Sequence, residues 1–169
     1  MDKDTSLHLK DLIGALSSFN DLSRVEARKA LVAAGSQAIP FLAEALKDSN
    51  SVRRWEAAKA LGEIGDPNAA PILVKALEDE RFEVRWLAAK GLIEMKVKGL
   101  KPLFKALMEK PGSSLLLQGA HHVLHDLSAG DLRIHLTPVL IALECMDCAV
   151  EVPPVVSHAL DDLVKAGII

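Results

Sequence analysis

Three groups of residues in this chain have types and spacings that can do chemistry. The first is His121-His122-x-x-His125, followed by Asp126. On a helix, His121 and His125 fall on one face, the spacing that lets two imidazoles share a metal ion. The ordinary alternative is a pair of imidazoles packed between helices. The second group, Cys145-Met146-Asp147-Cys148, has the spacing of zinc ligands or of a redox pair. If it closes a helix running antiparallel from a turn near residue 129, Cys145 stands about 12 Å beyond His121 along the axis, at ~1.5 Å per residue. A four-ligand site drawing on both groups is therefore not expected, and the reading assigns no metal or other cofactor. The third group combines large aromatic rings with charge: Trp55, Glu56, Lys59 and Glu63, then Trp86, Lys90 and Glu94. Trp beside Lys or Arg forms the anchors that dominate protein interfaces. The competing readings are burial of the rings between neighbouring elements and solvated i, i+4 charge pairs worth ~0.2–0.5 kcal/mol each. No Ser/His/Asp set, phosphate-binding glycine loop or paired buried carboxylates stand out.

The third group recurs because the sequence itself does, about every 31 residues. Val52-Arg53-Arg54-Trp55-Glu56-Ala57-Ala58-Lys59-Ala60-Leu61-Gly62-Glu63-Ile64-Gly65 is echoed from Val84-Arg85-Trp86 to Glu94-Met95. A period of this length means stacked supersecondary units rather than a globule closed round one active site. Each unit carries two apolar patterns with helical spacing. First helices align Leu12–Leu16, Leu42–Leu46, Leu73–Leu77, Leu103–Leu107 and Val139–Leu143, with Pro40, Pro71, Pro102 and Pro138 in the opening turns of the last four. Second helices align Leu31, Leu61, Leu92, Leu124 and Leu160, with small residues that let neighbours approach, and Gly35, Gly65, Gly130 and Gly167 in the turns that follow. Five helix pairs then fill a single domain, approximately 5–35, 37–65, 68–95, 99–127 and 131–166.

The segment Val52–Pro67 resembles the HEAT repeat, in particular the subclass found in phycobilin lyase subunits. That resemblance implies an all-α, right-handed solenoid of about five helical hairpins, with first helices convex and second helices lining a concave groove. It further implies a ladder between repeats built from Arg53 and Arg85 with Asp48 and Asp79, stopping where Ser23 and Leu117 replace the Arg. With second helices in the groove, the repeat yields its columns: Val25, Trp55, Trp86, Gln118, Pro154; then Lys29, Lys59, Lys90, His122, His158; then Ala33, Glu63, Glu94, Asp126, Asp162. HEAT enzymes of the deoxyhypusine hydroxylase kind carry His-Glu pairs as iron ligands, whereas this chain has Trp55-Glu56, Trp86-Leu87 and Gln118-Gly119, so a di-iron site lacks its imidazoles. The expected role is a scaffold that holds another protein or peptide segment through Trp55, Glu56, Lys59, Glu63, Trp86, Lys90, Glu94 and His122. The alternative implied by the resemblance is an accessory or chaperone-like subunit related to bilin lyases.

Composition bounds these readings. Half of the residues are apolar, yet aromatics make up 4% and Tyr is absent, the diet of close-packed helices. Net charge is −3, and the one local Lys cluster, Lys96 to Lys110, falls on a first helix, outside the groove; both argue against nucleic acid. No apolar run approaches the ~20 residues of a membrane span, and Met1-Asp2-Lys3-Asp4 does not begin a signal peptide, so a cytoplasmic location is expected. The two cysteines are too few for a disulfide framework. The apolar end Gly167-Ile168-Ile169 either packs on its own last repeat or pairs with a second copy of the chain.

Overall fold

The computed structural model describes residues 3–145 and 147–169, and every regular element among them is a helix. Met1, Asp2 and Met146, the last within the Cys145–Cys148 motif, lie outside the described residues. Ten α-helices are described: α1 (Lys3–Ala15), α2 (Asp21–Ala34), α3 (Ile39–Ala45), α4 (Ser51–Ile64), α5 (Ala70–Ala76), α6 (Phe82–Glu94), α7 (Leu100–Glu109), α8 (Ser114–Leu127), α9 (Leu132–Leu143) and α10 (Cys148–Lys165). Together they form a helical-repeat solenoid.

Local chemistry sets the helix boundaries. Asn20 and Asn50 precede α2 and α4, and each side-chain oxygen accepts two N–H groups of the first turn; Ser113 does the same once for α8. Such caps satisfy donors that have no partner inside the helix. After α2, α4 and α6 the chain takes positive φ at Gly35 (58°), Gly65 (65°) and Lys96 (54°). Short 3₁₀ turns at Gly35–Ala38, Pro67–Ala69 and Lys96–Gly99 follow and aim the chain into α3, α5 and α7. Pro40 and Pro71 stand in the first turns of α3 and α5, where a missing N–H costs least.

The core runs the length of the stack. Leu16, Leu31, Leu42, Leu61, Leu73, Leu92, Leu103, Phe104 and Leu116 are fully buried in it, each contributing roughly 1.5–3 kcal/mol. Second helices form a row, with α2 against α4, α4 against α6 and α6 against α8. At its centre α4 and α6 nearly touch: a Cβ on Gly91 would meet Gly62 Cα at 3.0 Å and Leu73 Cδ1 at 2.9 Å.

The fifth hairpin departs from the repeat. Helix α9 packs against α8, while α10 packs against α7 as well as α9. The pair is turned over, so α9 extends the row of second helices and α10 the row of first helices. The connector explains this difference: Ser128–Asp131 lacks the 3₁₀ turn, and its positive φ comes at Gly130 rather than directly after the helix. Pro154, His158 and Asp162, expected in the groove columns, therefore leave them. At the chain's end Gly167 takes φ 68° and Ile168 N–H donates to the Leu163 carbonyl. Ile168 and Ile169 are half-buried against the molecule's own core.

Candidate functional site

Trp55 and Trp86 lie one repeat apart, on α4 and α6. Trp55 is half-buried against the cluster of Ala58, Val84 and Leu87, whereas Trp86 keeps 47% of its surface exposed. One helical turn on, Lys59 Nζ lies 5.0 Å from the Trp55 ring centroid and Lys90 Nζ lies 5.7 Å from that of Trp86. Both distances are within the reach of cation–π attraction, which holds each ammonium on a ring face. The i, i+4 spacing that positions them follows from helix geometry.

Each ring borders a cleft between consecutive second helices. The first, about 280 Å³, is lined by Arg24, Val52, Trp55, Glu56, Arg81, Glu83 and Val84. The second, about 250 Å³, is lined by Phe82, Arg85, Trp86, Ala89, Gln118, Gly119 and His122. Phe82 is 64% exposed beside the second cleft, a large apolar ring left in water.

An arginine repeats on the same row. Arg24, Arg54 and Arg85 each send Nη1 back to a carbonyl six residues earlier, on Ser18 (2.7 Å), Asp48 (2.9 Å) and Asp79 (2.8 Å). Arg54 also reaches forward: Nε and Nη2 bond the two Asp79 oxygens at 2.8 and 3.1 Å, and Nη2 bonds Glu80 at 2.8 Å. The Asp79 hydrogen bond holds the Arg54 guanidinium charged beyond its ordinary range. This repeated anchoring and the match to the HEAT-repeat family profile over residues 9–93 describe the same units. The chain belongs to the HEAT-repeat family. None of the curated proteins matches this HEAT-repeat chain in sequence.

The geometry of this HEAT-repeat protein corrects several expectations. The expected Arg53–Asp48 pair is present, but the ion pair that runs forward from α4 to the next repeat is Arg54–Asp79, and Arg85 makes no such pair with Asp79 beyond its backbone carbonyl. The true register, set by the cap residues Asn20, Asn50 and Arg81, aligns Arg85 with Arg54, and Arg24 with both. Arg53 also links repeats, pairing with Asp48 and reaching back to the first repeat, where it donates to Ser17 Oγ at 2.5 Å. The Asn50 N–H first, and then the Arg53 guanidinium, hold Asp48 below the usual carboxylate range. The first repeat, where Ser23 was expected to end the ladder, keeps its arginine as Arg24.

Glu56 differs most from expectation. It is 3% exposed, and its carboxylate pairs with Arg28 and, at 3.6 Å, with Arg24 Nε. A group enclosed in this way ties α2 to α4, and its charge is already compensated; it does not set the register of a partner. The other charges are in the open. Glu63 lies 3.5 Å from Arg28 Nε, Lys90 lies 3.8 Å from Glu94, and His122 is exposed at the second cleft.

The histidines form no metal centre among the described residues. The His121 and His125 rings stack with centroids 6.2 Å apart, and His121 Nε2 meets Glu144 Oε1 at 3.0 Å. That contact brings the end of α9 closer to His121 than the 12 Å offset expected for Cys145 suggested. Cys145 and Cys148 are free thiols. The Arg24–Arg54–Arg85 series was not foreseen; it emerges when the repeats are aligned on Asn20, Asn50 and Arg81, four residues before each arginine, rather than on the Val-Arg pairs. No helix of the described residues is long and apolar enough to cross a membrane.

Proposed function

We propose that the face formed by α2, α4, α6 and α8 holds an extended protein segment, so that the molecule acts as a scaffold. HEAT repeats commonly serve as protein-interaction scaffolds. The observation that carries the reading here is the pair of Trp–Lys stacks, one repeat apart, each beside its own cleft. Two aromatic anchors in register suit a chain lying across the helices, with apolar side chains entering successive clefts. Lys59, Lys90, Glu63, Glu94 and His122 then set direction by charge, while Glu56 serves the scaffold itself. A half-exposed Trp86 next to an exposed Phe82 offers apolar surface that a partner would remove from water, at roughly 25 cal/mol per Å². Changing Trp55 and Trp86 together to Ala abolishes partner capture in a pull-down and leaves the helical circular dichroism intact. Undiminished capture by a folded double variant overturns the reading.

A further inference from the structure

Of the three arginines, Arg24 pairs with Asp21 and Glu56 and Arg54 with Asp79 and Glu80, whereas Arg85 has no carboxylate of its own, and the missing part has a definite chemistry. Arg54 makes two sets of bonds: Nη1 to the backbone behind it, and Nε with Nη2 to the carboxylates ahead. Arg85 makes only the first set, with Nη1 on the carbonyls of Asp79 and Glu80 at 2.8 and 3.1 Å. The turn that would supply the second set reads Lys110-Pro111-Gly112, with no acid where the preceding repeat has Asp79 and Glu80. Among the described residues no carboxylate makes a hydrogen bond or ion pair with Arg85; the exposed Glu83 carboxylate, two residues away, feels its charge without gripping it.

Arg85 instead lines the cleft of about 250 Å³ beside Trp86, Phe82, Gln118 and His122, and no acidic residue lines that cleft. Its guanidinium carbon lies 5.7 Å from the Phe82 ring centroid, and Lys90 covers the Trp86 ring. A planar cation held between its own backbone anchors and an aromatic wall is pre-organised for a carboxylate, which it can grip with two parallel N–H bonds. We propose that this cleft receives an Asp or Glu side chain of the partner segment, with an adjacent apolar side chain against Trp86. The partner thus supplies to Arg85 what Asp79 supplies to Arg54. The inference rests on the groove reading above and names the chemistry of its ligand.

The test pans displayed random dodecapeptides on the intact protein, then measures synthetic copies of the enriched sequence by calorimetry. Enriched peptides are expected to share an acid next to an apolar residue. Replacing that acid by its amide weakens binding about tenfold or more, Arg85→Gln weakens it equally, and the two changes together cost no more than either alone. Because Arg85 also holds the Asp79 carbonyl, Arg85→Glu is paired with a peptide carrying Lys in place of the acid, and recovery of binding excludes mere misfolding. Indifference to the acid, equal sensitivity to it in Arg85→Gln, or tighter binding of a phosphoserine version each overturns the inference. Peptides that need Trp55 and Trp86 but ignore Arg85 overturn it while leaving the groove reading intact. Peptides that ignore both Trp overturn the groove reading itself.

Discussion

At the scale of single residues, burial decides which charges belong to the scaffold and which are available to a partner. Glu56 and Lys59 are three residues apart, yet one is enclosed with Arg28 and the other rests on an indole in contact with solvent. Glu56→Ala leaves the buried Arg28 guanidinium with only Glu63, 3.5 Å from its Nε, and removing one member of a buried pair costs up to ~3–5 kcal/mol. Chemical denaturation should show a loss of that size, with Glu56→Gln losing less; if Glu56 were a partner contact, stability would be unchanged and binding would fall. The aromatic column was legible in the sequence, because Trp55 and Trp86 stand one 31-residue period apart. The fate of Glu56 was not, because it depends on Arg28, which lies one repeat away and points inward from the neighbouring helix.

At the scale of elements, the connectors carry the repeat. Gly35 and Gly65 take positive φ at little cost, and Lys96 takes positive φ with a side chain. A non-glycine residue in that region is strained by ~1–2 kcal/mol, partly offset because glycine orders more chain on folding. Lys96→Gly should therefore raise stability by about 0.5–1 kcal/mol in a urea titration, and a lower midpoint would contradict the strain. The helices, their order and the glycines after the second helices were readable from apolar spacing and turn residues; the N-caps Asn20, Asn50 and Ser113 were not read. The turned-over fifth hairpin was not, since its helices have the same apolar pattern as the others. What differs is the link Ser128–Asp131, and a missing 3₁₀ turn leaves only a faint mark in sequence. The one-residue slip that paired Arg85 with Arg53 has a similar origin, because Val-Arg occurs in both repeats but the capping residue, not the valine, fixes the helix start.

At the scale of the whole molecule, part of the stability rests on carboxylates spread over the turns, one of which, Glu83, also lines the first cleft. Four carboxylates that tie turns and repeats together titrate below their ordinary values. Besides Asp48, Asp66 is held down first by the Ser36 hydroxyl. Burial pushes Glu78 up, but hydrogen bonds from Lys110 and Ser113 outweigh it, and Glu83 is held down first by its own N–H. Groups lowered in the folded state stabilise it fully above their unfolded values of 3.8 for Asp and 4.5 for Glu, and lose that contribution as pH falls through the folded values. The thermal midpoint should hold from pH 7 to about pH 5 and decline below about pH 4.5, less steeply in Glu78→Gln; a decline already complete at pH 5 would contradict this.

The binding face can be read separately, because the two tryptophans are the only ones in the chain and both border its clefts. The most direct measurement is therefore intrinsic tryptophan emission during titration with a bound segment, recorded for the native protein and for Trp55→Phe and Trp86→Phe. If the groove holds the segment, emission shifts to shorter wavelength as water leaves the indoles, most strongly for Trp86, which starts half-exposed. Saturable binding by calorimetry with no change in emission from either tryptophan would contradict the account.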